Sequence, residues 1–454
     1  MRGKEIWLFC IGLFILSGAC ARPEAPPQPA PSAPAQRLLT LPEALRIALE
    51  KNPTVRIAAQ QVRRAGGQVT EARSALGPRL NANATHFRTG PIPTITLPTS
   101  AGEESIQVGV PEDTRYQLSL SLPLDVSGGI TAAATAASFN RLAAGLIFAA
   151  VKQNVALQVQ EAYLAVLRAE SLENVAEEAL AAAQEHLRVA KLNYEAGTVA
   201  YFDVLRAEVE MANFQQTLVE AKNAVELAKS FLNFVLGEEV NQPLEVEAPA
   251  QVSPAPPPPL EESQQEANLH RPEILQAQAQ LKAAQKGIRI AQAGLLPSLA
   301  LVGNRNYDAN PSSFGGLKRT WDMSAVLSLP VFDSGQTHGR LIQARADVES
   351  ARQAEEEMRN QVMLEVRQAH LSRSEAQERM RVTEKDVEQA REAVRLAQLR
   401  YKAGLSAAVE VTDAEVALAR SRTNQVNAFY DYLLAKTRLQ KAVGRPAWEE
   451  MEGS

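Results

Sequence analysis

Gln117-Leu118-Ser119-Leu120-Ser121-Leu122-Pro123-Leu124 alternates leucine with small polar residues, and Gly128 then opens a long proline-free run rich in Ala, Glu, Gln, Arg and Leu. Alternation with period two marks a strand with one apolar and one polar face. The run after it carries helical periodicity and reads as one helix over roughly 128–196. At about 1.5 Å per residue such a helix extends on the order of 100 Å. A compact domain of this chain length has no room for it, so the switch from strand to rod decides the fold.

The same switch occurs again. Leu120-Ser121-Leu122-Pro123 matches Leu327-Ser328-Leu329-Pro330, 207 residues on (330 − 123). That offset persists without a gap: Gly128 pairs with Gly335, Tyr194 and Gly197 with Tyr401 and Gly404, Ala207-Glu208 with Ala414-Glu415, and Gly237 with Gly444. Upstream, Asn52-Pro53 matches Arg271-Pro272 and Pro78 matches Pro297, both at an offset of 219. A length difference of 12 in the loop between the strands of a pair accounts for the shift. The chain is therefore one unit written twice, 38–248 and 260–446, joined by a proline-rich connector at 249–259 and followed by a tail at 447–454.

Within each unit a helix (42–76, and about 260–295) precedes a pair of strands, with Pro42 at a helix start and Pro78 ending the first helix. The strands read as 79–87 and 116–124 in the first unit, and as two more around Leu299–Leu301 and Trp321–Leu329 in the second. Each approaches the length of about 9–11 residues that a tilted membrane strand needs. The long helix follows (128–196, 335–403), reverses at an Ala-Gly pair and returns as a shorter one (199–236, 406–443). Two short helices end to end match one long rod, which implies a wall of antiparallel helices. Four strands cannot close a barrel, and lipid does not tolerate an open sheet edge, so several protomers must pool their strands. The spacing does not choose among two, three or four copies. His86, Phe87, Tyr116, Tyr307, Trp321 and Phe332 lie near strand ends, where aromatic girdles sit at membrane interfaces.

The N-terminus reads as an export signal over 1–19: a basic start at Arg2 and Lys4, then an apolar core from Ile6 to Leu16 too short to span a bilayer. Leu16-Ser17-Gly18-Ala19-Cys20 resembles a lipoprotein signal, which makes Cys20 the expected acylated residue; Ala19-Cys20-Ala21 also fits ordinary signal cleavage. A spacer rich in proline and alanine follows, so 20–37 reads as tether rather than fold. The other cysteine, Cys10, lies in the signal, which excludes an intramolecular disulfide.

A formal charge of −5 and the lack of a basic stripe interleaved with aromatics argue against a nucleic-acid partner. The five histidines are never at metal-ligand spacing, and no phosphate loop, nucleophile elbow or activated cysteine occurs. Neither enzyme nor cofactor is expected. A periplasmic coiled-coil adaptor or structural rod shares the helices but has no use for four alternating strands.

The order of helix, strand, loop, strand, long helix, Tyr-x-x-Gly turn and returning helix, found twice over 38–446, resembles the TolC outer-membrane efflux family. The resemblance implies a mixed α+β membrane protein: a homotrimer whose four strands per protomer form a twelve-stranded outer-membrane β-barrel, with the long helices forming a periplasmic α-barrel. It further implies docking to a periplasmic adaptor fed by an inner-membrane pump, exporting small molecules such as drugs or metal ions, or else proteins in type I secretion. The turns Gly197-Thr198-Val199 and Gly404-Leu405-Ser406 match the hairpin tips that meet the adaptor, with Leu405 and Ser406 expected to be exposed. Asp203, Glu410 and Asp413 match carboxylates lining the periplasmic entrance, and a spacing of three puts the last two on one helix face. Two positions after the second tip glycine the family carries a basic residue, and here Ser406 stands in its place.

Overall fold

The computed structural model describes residues 38–100, 102–248, 256–311 and 316–445. The signal segment 1–19, Cys20 with its spacer, most of the 249–259 connector and the tail 447–454 lie outside the described residues. The elements run β1 (Leu38–Leu39), α1 (Leu41–Lys51), α2 (Pro53–Ser74), β2 (Arg79–Arg88), β3 (Thr94–Thr99), β4 (Gly102–Gln107), β5 (Glu112–Leu124), α3 (Gly129–Glu195) and α4 (Tyr201–Leu236). They continue as β6 (Glu245–Val246), α5 (Leu260–His270), α6 (Pro272–Ala293), β7 (Ser298–Asp308), β8 (Arg319–Ser328), α7 (Gln336–Lys402) and α8 (Ala408–Val443).

The helices of the two halves agree in length to the residue: 11, 22, 67 and 36 in the first, and 11, 22, 67 and 36 in the second. The long rods match the sequence expectation within a residue at either end. The short helices differ from it. Each was expected as one piece, and each is two, broken at Asn52 and at Arg271. The cause is the proline that follows, which disfavours the α-helical region for the residue before it. Asn52 accordingly has φ −58° and ψ 126°, and Arg271 φ −68° and ψ 120°. Each proline then serves as the first residue of the next helix, where its missing N–H costs nothing.

The breaks fit the ends of the returning helices. Gly237 and Gly444 close α4 and α8 in the left-handed region, at φ +77° and +93°. A Cβ on Gly237 would lie 3.1 Å from the Lys51 carbonyl oxygen, and one on Gly444 would lie 3.1 Å from the His270 carbonyl carbon. Glycine is required there twice over, by its backbone angle and by the close approach.

Strands β2, β5, β7 and β8 form one antiparallel sheet in that order. Its register separates two faces. Leu80, Leu120, Gly303 and Met323 are paired across the sheet, and the neighbouring row pairs Asn81, Ser119, Asn304 and Asp322. Successive side chains point to opposite sides, so one face carries leucines and the other asparagine, serine and aspartate. The apolar face is not covered by the described residues: Leu80 is 64% exposed and Met323 81%. On the polar face Asn304 Nδ2 donates to Asp322 Oδ2 at 2.9 Å, and Arg115 meets Asp308 at 2.8 Å. Tyr116, Tyr307 and Trp321 fall on the apolar face, with the two tyrosine rings 6.1 Å apart. Phe87 pairs with Asp113 and lies on the polar face, under the Arg115 guanidinium. The loop joining β2 to β5 holds a further hairpin, β3 with β4, that its proline, glycine and threonine content conceals.

Helix α3 is the common wall, packed by α2 and α4 of its own half and by α6 and α8 of the other. The largest buried cluster lies midway along it, where Val155, Val159, Tyr163 and Val166 meet Leu45, Leu232, Leu236 and Leu433. The Tyr163 hydroxyl lies between the carbonyls of Glu247 (2.7 Å) and Leu39 (3.0 Å), which share its single proton, and fastens the short parallel pair β1–β6 to the rod.

Candidate functional site

Both rods reverse through the same hydrogen-bonded turn. The Gly197 N–H donates to Tyr194 O at 2.9 Å and the Thr198 N–H to Asn193 O at 2.9 Å. At the second tip the Gly404 N–H donates to Tyr401 O at 3.0 Å and the Leu405 N–H to Arg400 O at 2.9 Å. This pair of bonds satisfies the last carbonyls of a helix and places a residue in the left-handed region; Gly197 and Gly404 have φ +74° and +72°. Each tip has a small core of its own: Leu187, Ala190, Val204 and Ala207 in the first, and Ala397, Tyr401, Ala408 and Val411 in the second.

The tip residues named from sequence fall into two groups. Leu405 is 72% exposed and Thr198 is exposed. Val199 is half-buried and packs against the core of the second tip. Ser406, expected to be exposed, is half-buried, with its Oγ enclosed; the turn that pushes Leu405 out rolls its neighbour in. The first tip adds an apolar surface that the sequence reading did not name. Tyr201 and Phe202 are 54% and 68% exposed, and the Tyr201 ring lies 5.4 Å from that of Tyr194.

Glu410 and Asp413 are both exposed on α8, and Asp203 is half-exposed at the start of α4. Asp413 faces Arg206 of α4 at 3.8 Å, and Glu410 faces Arg400 of α7 at 3.8 Å. Both carboxylates thus have an arginine partner within the chain, on α4 and on α7. All four side chains are more than two-fifths exposed, so these pairs contribute little to stability and leave the carboxylates open to solvent. Set back from the tips, Glu415, His186, Tyr401 and Gln398 surround a cavity of about 110 Å³ that the sequence reading missed. The pairing of Glu208 with Glu415 across the repeat was visible; their different burial was not. Among the described residues no group of His, Cys, Asp or Glu is arranged to hold a metal ion.

A sheet with one bare apolar face and one polar face, continuous with rods on the order of 100 Å long, is the form of a membrane-piercing conduit protein. Comparison with known proteins agrees. The family model described as outer membrane efflux protein matches residues 44–238 and 264–445. The chain is 28% identical over 416 residues to the outer membrane protein TolC of Vibrio cholerae, covering 89% of this chain and 90% of that one. It is 28% identical over 420 residues to the toluene efflux pump outer membrane protein TtgF of Pseudomonas putida, covering 88% and 82%. Among solved structures, the outer membrane protein VceC of Vibrio cholerae superposes with a TM-score of 0.78 at 22% identity, covering 90% of this chain and 97% of that one. The chain belongs to the outer membrane efflux protein family, the TolC-type channels. It is a transport conduit of the outer membrane and periplasm, not an enzyme.

Proposed function

We propose that three copies of the chain pool their sheets into a twelve-stranded barrel and their rods into a periplasmic duct, through which small molecules leave the cell. The observation that carries this reading is the two-faced sheet. Its leucine rows suit lipid, its asparagine and serine rows suit a wet lumen, and among the described strands β2 and β8 each pair on one side only. Lipid does not tolerate such edges, so they must meet edges of other copies. An inner-membrane pump and a periplasmic adaptor deliver the cargo, the adaptor meeting Thr198, Leu405 and the turns beside them. The carboxylates of Asp203, Glu410 and Asp413, repeated by threefold symmetry, ring the entrance and favour cations. The toluene pump relative supports small apolar molecules as cargo. The lipoprotein-like signal supports acylation at Cys20.

The test is the mass of the detergent-solubilised particle together with its conductance in planar bilayers. A particle of three protomers that conducts ions supports the duct, and a water-soluble monomer removes it. Labelled palmitate incorporated into the native chain but not into Cys20→Ala supports the anchor, and equal labelling of both removes it.

A further inference from the structure

The cavity behind the second tip lies between α3, α7 and α8 and is lined by His186, Gln398, Tyr401, Lys402, Val411 and Glu415 among others. Three of its polar side chains are more than nine-tenths buried: His186 is 8% exposed, Tyr401 7% and Glu415 7%. The Nε2 of His186 and the hydroxyl of Tyr401 have no hydrogen-bond partner among the described residues, and their rings lie 5.8 Å apart. Glu415 has one, the Gln398 side-chain amide, which donates to its Oε1 at 3.2 Å.

The duplication shows what is unusual here. At the same place in the first unit, 207 residues earlier, Lys191 and Glu208 form an ion pair at 2.9 Å with both side chains well exposed. In the second unit the lysine position holds neutral Gln398 and the carboxylate is buried. A buried carboxylate without a cation is unfavourable, and such groups neutralise instead. Burial pushes the Glu415 carboxyl up to about 7, against the Gln398 hydrogen bond and with the help of Glu210 on α4. Burial pushes His186 down, with the charge of Asp203 on α4 opposing it. The other charged groups that line the cavity are Glu185 on α3, held by Arg188 at 2.6 Å, and Lys402 on α7, both exposed.

We propose that this cavity is a proton-binding site shared by Glu415 and His186, which holds one proton as a neutral pair while α8 lies against α3 and becomes an ion pair when the helices part. In the packed state the proton is on the Glu415 carboxyl and the imidazole is neutral. When the helices separate and water enters, the carboxyl O–H bond breaks and its electron pair stays on the carboxylate. The His186 Nε2 lone pair takes up a proton in exchange. The cavity has the room and the polar groups for water to bridge the two. No net proton is gained or lost, so opening is insensitive to pH across the range where both shifts apply.

Each residue alone would make opening pH-sensitive, in opposite senses. Glu415 is raised in the packed state, so by itself it favours packing below its free value of about 4.3 and loses that contribution as pH rises toward 7. His186 is lowered in the packed state, so by itself it favours packing above its free value of about 6.5 and loses that as pH falls below it. The residual mismatch, about 7 against about 6.5, amounts to roughly a threefold change in the opening equilibrium.

The link to opening rests on the duct reading; the proton site does not. Infrared spectra of the solubilised full-length protein at pH 6 test the site directly. The wild type is expected to show the carbonyl stretch of a protonated carboxyl that is absent from Glu415→Gln, and an unchanged band overturns the proposal. Open probability in planar bilayers at pH 5.5 and 7.5 tests the coupling. Glu415→Gln is expected to open more at the acid pH, and His186→Gln about tenfold more at the alkaline pH. The wild type and the double variant should change less than either single variant. Single variants that keep the wild-type profile overturn the coupling. If Glu415→Gln fails to assemble, His186→Gln decides alone, because its alkaline opening requires Glu415 as the acid.

Discussion

Asn52 donates its side-chain amide to the backbone carbonyl of Val235 at 2.8 Å, and its Oδ1 accepts from the Thr54 N–H at 2.8 Å. One buried side chain thus caps α2 and ties the break between α1 and α2 to the end of α4. Asn52→Ala removes a helix cap and leaves a buried carbonyl without its donor, an expected loss of about 2–3 kcal/mol. A lower thermal midpoint by circular dichroism, with the oligomer retained at low temperature, is the expected result. An unchanged midpoint would show that the break is held by its prolines and glycines alone.

Arg271 takes the same place in the second half, donating to the Ala442 carbonyl at 3.1 Å, and it is 1% exposed. It also pairs with Glu273 at 2.9 Å and Glu365 at 2.8 Å. Arg271→Ala strands these groups together and is expected to cost about 3–5 kcal/mol. Arg271→Lys should recover only part, since an ammonium cannot present the planar fork that reaches all three. Equal melting of Arg271→Ala and Asn52→Ala would mean that the two carboxylates gain nothing from the arginine.

Adjacent residues of β5 test the two faces of the sheet. Leu120→Arg puts a charge on the leucine face, at an expected cost of about 2–4 kcal/mol if that face meets the bilayer midplane. Ser119→Arg puts the same charge on the polar face and is expected to insert normally while reducing cation preference. Comparable insertion yields for the two variants would contradict the assignment of faces.

Replacing Glu410 and Asp413 together with alanine is expected to raise single-channel conductance and weaken selectivity for cations, because it removes exposed carboxylates and releases Arg400 and Arg206. Reversal potentials under a salt gradient measure this. Selectivity that does not move removes these two residues from the entrance.

Leu405→Asp changes the most exposed apolar side chain of the second tip without touching the turn bonds beneath it. Export in cells and crosslinking to the adaptor should fall at least several-fold, while conductance of the purified channel stays as before. Undiminished crosslinking would place adaptor contact elsewhere, with Tyr201 and Phe202 the next surface to alter.

Much of the fold was legible because it is repetitive. The offset of 207 located both rods, both tips and both returning helices, since an alanine-rich helix without proline has few ways to end other than at Gly197 or Gly404. The breaks at Asn52 and Arg271 were missed although Pro53 and Pro272 were in view, because apolar spacing continues across each break and gives no sign that the axis has turned. The acidic residues near the tip were legible as residue types, but not their surroundings. Glu415 and Glu208 occupy equivalent positions, and it is the packing of α8 against α3, the rod of the other half, that buries the first. A Gln at 398 where the first unit has Lys191 was the one available signal.

The equality of the helices, residue for residue, makes the two halves gauges for each other. Removing a single residue from α3 would draw the first tip back by about 1.5 Å and turn it by about 100°, while the second tip stayed in place. A duct built this way is lengthened or shortened only by matched changes in both halves at once, so its span is inherited as a fixed measure and the loops and strand ends are left to vary.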